Sequence, residues 1–173
     1  MITIRQVGAE DWRAWRDLRL NALRDAPEAF KTKLAEWQGE GDLEQRWRDR
    51  LSAVSFNVIA DLDQKPAGMV SAVRQSDEVE LISMWVAPSA RGNGVGDALV
   101  EAVLGWPVIK RPGRVVLCVM ENNDHAAALY RRHGFVDAGG YEEVSAGDCI
   151  ERRMIRQSGA HNADGVRDSA GGE

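Results

Sequence analysis

Glycine recurs at every second position in the run Arg91-Gly92-Asn93-Gly94-Val95-Gly96. An apolar stretch ending Trp85-Val86-Ala87-Pro88 precedes the run, and residues with a helical apolar period follow it. Glycines at such a junction let backbone N–H groups converge on one spot with no side chain in the way, and a helix start adds a partial positive charge. A phosphate or diphosphate is the natural occupant, with the Arg91 guanidinium adding a full charge at the mouth. Two common phosphate loops are excluded. The ATP-type loop ends Gly-Lys-Ser/Thr, but Gly96 is followed by Asp97, so neither the lysine nor the magnesium-binding hydroxyl is there. The dinucleotide fingerprint G-x-G-x-x-G needs its third glycine at Asp97, and it normally follows the first strand of a fold rather than about the fourth. The bland alternative is a glycine turn that only joins a strand to a helix.

Glu80 is the other position with a context for chemistry. Alternation along residues 79–86 predicts Glu80, Ile82, Met84 and Val86 on one face and Val79, Leu81, Ser83 and Trp85 on the other. A carboxylate in so apolar a strand is expected to lose solvation, which raises its pKa and suits a general base. The alternative is a strand-end glutamate in water beside Asp77 and Glu78. His125, His133 and His161 lack metal-ligand spacing, so no metal is expected, and His133 beside Gly134 reads as a helix-end residue facing the dipole. Cys118, on an apolar strand, reads as a buried structural thiol.

The elements that must position these residues follow from periodicity. Residues 2–7 alternate as a short strand. Trp12, Trp15, Leu18 and Ala22 make a helical stripe that ends near Asp25-Ala26-Pro27, and Leu43, Trp47, Leu51 and Val54 make a second one. Segments 55–61 and 66–74 form a hairpin over the polar turn Leu62–Lys65, and 79–86 reads as a central strand buried on both faces. A helix from Val95 to Gly105, a strand at 114–120, a helix near 125–133 and extended segments at 135–144 and 149–155 complete the order β-α-α-β-β-β-α-β-α-β-β. This is an α/β fold, a single domain with a mixed, mostly antiparallel sheet flanked by helices. The domain is expected to span 1–156. Residues 157–173, rich in Gly, Ala and Asp, are expected to be a disordered tail.

The whole chain has 173 residues, the size of one domain, with 22 Lys and Arg against 27 Asp and Glu. The resulting net charge of −5 argues against nucleic acid as the partner and mildly favours a cationic one. No apolar run is long enough for a membrane span or a signal peptide, and two distant cysteines, Cys118 and Cys149, make no disulfide framework. The expectation is a cytoplasmic protein without membrane contact.

Arg91-x-x-Gly94-x-Gly96 after a Val-Ala-Pro strand end resembles the acyl-CoA diphosphate loop of the GNAT N-acetyltransferase superfamily. Asn123-x-x-Ala126-x-x-Leu129-Tyr130-x-x-x-Gly134-Phe135 resembles that family's second hallmark. The likeness covers about residues 1–156, with 79–135 as its motif-bearing core. It implies acetyl-CoA as co-substrate, attacked directly by a primary amine in a ternary complex. Such an amine is mostly protonated at neutral pH, so a base is needed, and the leaving thiolate benefits from a proton donor. By the likeness Glu80 is the base, as in histone-acetylating members, and Tyr130 is the donor to the thiolate; otherwise Tyr130 is a core aromatic. Asn123 is implied to contact the CoA arm, or else only to cap a helix. The backbone of Met84, Trp85 and Val86 is implied to pair with pantetheine like an added strand, and an N–H near Met84 to polarise the thioester carbonyl. Arg91 and the amides of Gly92, Asn93, Gly94, Val95, Gly96 and Asp97 are implied to hold the diphosphate.

The acceptor is less defined. Glu28 and Phe30, after the first helix, are candidates to attract and stack on a cation, unless that segment is an ordinary turn. Trp12, Trp15 and Trp47 read as core, whereas Trp37 and Trp85 are candidates to line the acceptor pocket. A small cationic or amphipathic amine is expected, an amine antibiotic among the options. The rivals are a protein N-terminal or lysine acetyltransferase and a non-catalytic acyl-CoA sensor. Many members of the superfamily are homodimers.

Overall fold

The computed structural model describes residues 1–109, 113–144 and 149–158. Its strands are β1 (Ile2–Gln6), β2 (Phe56–Leu62), β3 (Lys65–Gln75), β4 (Glu78–Val86), β5 (Gly113–Met120), β6 (Val136–Val144) and β7 (Cys149–Ser158). Helices α1 (Trp12–Asp25) and α2 (Glu44–Ala53) lie between β1 and β2; α3 (Val95–Leu104) follows β4 and α4 (Asp124–Arg132) follows β5. The expected order of elements is the observed one. The seven strands form a single sheet in the order β1-β2-β3-β4-β5-β7-β6, antiparallel at every neighbour except β4 and β5. β7 runs past the expected domain boundary at 156, pairing Gln157 with Arg114 and Ser158 with Gly113. The rest of the expected tail, 159–173, lies outside the described residues, as does His161.

Both faces of the sheet are covered, which is why β2 to β5 are apolar almost throughout. On one face α3 and α4 bring Val95, Leu99, Val103 and Tyr130 against Val58, Val70, Leu81 and Leu117. On the other, Trp15, Leu18 and Leu23 of α1 and Trp47 and Leu51 of α2 pack on Ile59, Met69 and Trp85. Close approach of α3 to β3 requires glycine at 68, where an added Cβ would lie 2.9 Å from Leu99 Cδ1 and 3.0 Å from the Trp85 carbonyl. α1 is tied to α2 through Asp42, whose carboxylate accepts from the Arg16 guanidinium and from Trp47 Nε1 at 2.9 Å. No described helix is long and apolar enough to cross a membrane.

Strict alternation fails along β4. Met69 pairs with Trp85 and Ser71 with Ile82, so Val70 alone faces the two residues Ser83 and Met84. This is a β-bulge, and Ser83 carries it at φ +56°. The extra residue inverts the facing of everything after it. Val79 and Leu81 lie in the α3–α4 core, and Met84 and Val86 pack against that same core. Trp85 is buried in the opposite one. The expected grouping of Trp85 with Val79 and Leu81, and of Met84 and Val86 with Glu80, is therefore corrected by the bulge.

Candidate functional site

β4 and β5 are in register only at Glu78–Arg114, Val79–Val115 and Glu80–Val116. Beyond Glu80 they diverge, so residues 81–86 turn an edge with no strand partner toward the gap. A cleft of about 830 Å³ occupies this split. Leu81 to Val86 form one wall, Cys118, Val119 and Met120 the other, and α4 contributes His125, Leu129, Tyr130 and Arg132. An unpaired strand edge inside a cleft can hydrogen-bond an extended ligand arm as a further strand would.

The glycine loop also lines the cleft, through Arg91, Gly92, Gly94 and Gly96. Gly92 (φ +78°) and Gly94 (φ +82°) adopt left-handed backbone that other residues rarely take, and Gly94 immediately precedes α3. No side chain caps that helix, so the first amides of α3, at Val95, Gly96 and Asp97, are available to an anion. The Asn93 side chain folds back onto the Ala90 and Arg91 carbonyls, both at 3.2 Å, and leaves the cradle open. Gly96 lets α4 approach, since a Cβ there would stand 3.1 Å from Leu129 Cδ2. The Asp97 carboxylate is occupied by His133 Nε2 at 2.9 Å and Arg132 at 3.1 Å. Burial opposes its ionisation, but these two partners outweigh burial and hold its carboxyl below the ordinary range. His133 thus pairs with a carboxylate rather than only facing the end of α4.

Tyr130 lines the cleft, 5% exposed, with its ring edge-on to Phe135 at 5.8 Å. Burial pushes its hydroxyl pKa well above the ordinary value of 10.0, so the group keeps its proton at any working pH. Asn123 caps α4 by accepting from the Ala126 amide at 3.1 Å, and it also lines the cleft. Cap and cleft-lining residue are one and the same here.

The segment that follows α1 also lines the cleft, through Asp25, Ala26, Glu28, Ala29 and Phe30. Glu28 is exposed and Phe30 is buried. Asp25 ties this segment to the glycine loop: it accepts from Trp85 Nε1 at 2.9 Å and from the Arg91 guanidinium, which also donates to the Val86 carbonyl at 3.1 Å. The Trp85 indole, and after it Arg91, keep the Asp25 carboxyl below its ordinary pKa although burial works the other way. Sequence reading did not single out Asp25, because its two partners are 60 and 66 residues away.

Three expectations meet a different placement. Glu80 is half-buried, accepts from Gln75 Nε2 at 2.7 Å, and is not among the residues lining the cleft. Trp37 is also outside the cleft, packed on Trp47 with ring centroids 4.3 Å apart and covered by Arg46. Cys118 is half-buried and lines the cleft instead of lying deep in the core. No cluster suited to a metal ion occurs among the described residues.

Comparison with known proteins agrees with this geometry. A mycothiol acetyltransferase of Salinispora tropica is 33% identical over 138 residues, covering 74% of this chain and 42% of its own. The N-alpha-acetyltransferase RimI of Mycobacterium tuberculosis is 36% identical over 92 residues, 53% of this chain and 50% of its own. The chain thus spans about half the length of these curated relatives. Spermidine N-acetyltransferase from Vibrio cholerae, solved with CoA and spermine, superposes with a TM-score of 0.71 at 21% identity, covering 90% of this chain and 95% of that one. The profile of the Acetyltransferase (GNAT) family matches residues 12–135, which include the split strands, the glycine loop and the α4 tyrosine, and the chain belongs to that family.

Proposed function

We propose that the chain is an acetyl-CoA-dependent N-acetyltransferase acting on the primary amine of a small molecule. The observation that carries this reading is the cleft at the β4–β5 split, lined by the glycine loop before α3, by the buried Tyr130 and by the acidic residues Asp25 and Glu28. Acetyl-CoA, when bound, supplies the activated acetyl group. The residues fit it: the Gly92 and Gly94 loop and the open amides of α3 suit a diphosphate, and the free edge of Leu81–Val86 suits the pantetheine amides. Arg91 adds charge at the cradle, and Asn123 stands along the arm. The Met84 N–H, displaced by the bulge, polarises the thioester carbonyl. Tyr130 holds the proton that the departing sulfur takes. Asp25 and Glu28 draw an ammonium group to the acceptor end. Glu80, outside the cleft wall, takes the amine's proton through intervening water.

Release of free thiol from acetyl-CoA, measured over a diverse amine library, tests the proposal. Turnover with small amines supports it; CoA binding without turnover on any amine or peptide points to the acyl-CoA sensor instead. A second reading, acetylation of a protein N-terminus, is favoured by the 36% identity to RimI. Turnover confined to a peptide panel would establish it.

A further inference from the structure

Two cations lie behind the cleft wall, against its lining residues Phe30 and Ser83. Arg50 of α2 donates to Asn57 Oδ1 at 3.1 Å, Ser71 Oγ at 3.2 Å and Ser83 Oγ at 3.3 Å, all of them neutral oxygens. The Arg19 guanidinium of α1 lies 4.5 Å above the centre of the Phe30 ring, and its Nη1 is buried without a hydrogen-bond partner. No ion pair joins either guanidinium to a carboxylate among the described residues. Burial pulls both pKa values down to about 10, and for Arg19 the charge of Arg50 adds to the effect. The same face of α1 carries two further donors. Trp12, Trp15 and Arg19 are spaced three and four residues apart, and the indole N–H groups of Trp12 and Trp15 also lack acceptors.

Like charges that feel one another while half-buried, among unanswered donors, are unfavourable unless an anion joins them. Phe30, under Arg19, and Ser83, bonded to Arg50, both line the cleft. Both guanidiniums thus stand one side chain behind the cleft surface, against residues of its lining. We propose that Arg19 and Arg50 form a carboxylate site, and that the acceptor is an amine that also bears a carboxylate, as an amino acid does. The inference rests on reading the cleft as an acetyltransferase site and narrows its substrate class. A planar carboxylate matches guanidinium forks. Asp25 and Glu28 at the rim attract its ammonium, while the arginines set which end enters first.

Two measurements on the full chain test this separately from the transferase reading. In the first, thermal unfolding of CoA-saturated protein is followed in succinate and in sodium chloride of equal ionic strength. Succinate is expected to raise the midpoint by about 3 °C at ten times its dissociation constant. Arg19→Met, which keeps an apolar contact with Phe30, is expected to lose that gain, and Arg19→Lys to keep part of it. Equal stabilisation of wild type and Arg19→Met, or none in wild type, overturns the site. In the second, thiol release is compared for free amino acids and for the amines that lack their carboxylate. The carboxylate-bearing member is expected to have roughly tenfold higher kcat/KM, with the difference collapsing through KM in Arg19→Met. Equal or better turnover of the decarboxylated amines overturns the substrate class. No turnover in either set, with the succinate effect intact, counts against the transferase reading and leaves the anion site standing.

Discussion

Tyr130 is the residue at which burial and the proposed chemistry pull the same way. Its hydroxyl makes no hydrogen bond to the described residues, so removing the oxygen costs the fold little, while a buried phenol is kept protonated as an acid must be. Tyr130→Phe is expected to lower kcat about 10²- to 10⁴-fold with an unchanged melting temperature, as a thiol-release assay and calorimetry would record. A loss below threefold would remove it from the proton path. Nor should the rate decline near pH 10, where a tyrosine in water ionises. Asp42 makes a contrasting case, a carboxylate that works for stability alone. The Arg16 hydrogen bond, opposed by burial and helped by Trp47, holds its pKa at about 2 against an ordinary 3.8. A carboxyl depressed on folding stabilises in full above its unfolded value, and the benefit fades as pH falls through the folded one. Asp42→Asn is thus expected to melt a few degrees lower above about pH 5, and the two melting curves to converge toward pH 2. The effect is about 1 kcal/mol, because solvent screens the pair. A constant offset across that range would show that charge is not the cause.

Among the elements, β4 decides the site, since its bulge and its divergence from β5 together make the cleft. The glycine at 68 is what allows α3, with the phosphate cradle at its start, to rest on β3 beside this strand. Gly68→Ala puts a methyl against Leu99, the Trp85 carbonyl and Val95. It is expected to cost about 1–3 kcal/mol and to weaken CoA binding, read as a lower melting temperature and a higher Kd by calorimetry. Wild-type values for both would show that α3 has room to give. The elements themselves were legible in the sequence, because apolar residues at helical and alternating spacing report directly on which face is buried. The glycine loop and Tyr130 were legible for a related reason, that their residue types are hard to account for otherwise. The bulge was not. Ser83-Met84 reads as regular alternation, and only the pairing with Val70 reveals the extra residue. Arg19 and Arg50 were passed over because a charge beside a helical apolar stripe reads as solvated unless the fold places another layer over it. The position of β7 between β5 and β6 depends on contacts across the chain that no local pattern encodes.

In the molecule as a whole, one ion pair joins the segment after α1 to the glycine loop, and its effect on the proposed cofactor site can be measured. Arg91, at the cradle, is held by Asp25, at the end of α1, and the same carboxylate fixes the Trp85 indole. On the proposed function, a diphosphate at the glycine loop competes with Asp25 for the guanidinium, so part of its attraction is spent on breaking a contact already made. Asp25→Asn removes the competing charge but keeps an oxygen able to accept from Trp85, so the indole need not move. CoA is therefore expected to bind the variant roughly two- to fivefold more tightly, the range of a partly exposed ion pair. The advantage should shrink as salt is raised, because added ions weaken the pair in the wild type as well. Calorimetric titration at low and high ionic strength reads both effects. Weaker binding to Asp25→Asn at low salt would mean that Asp25 orients Arg91 toward the diphosphate rather than competing for it, and that the carboxylate and the glycine loop cooperate instead of opposing each other.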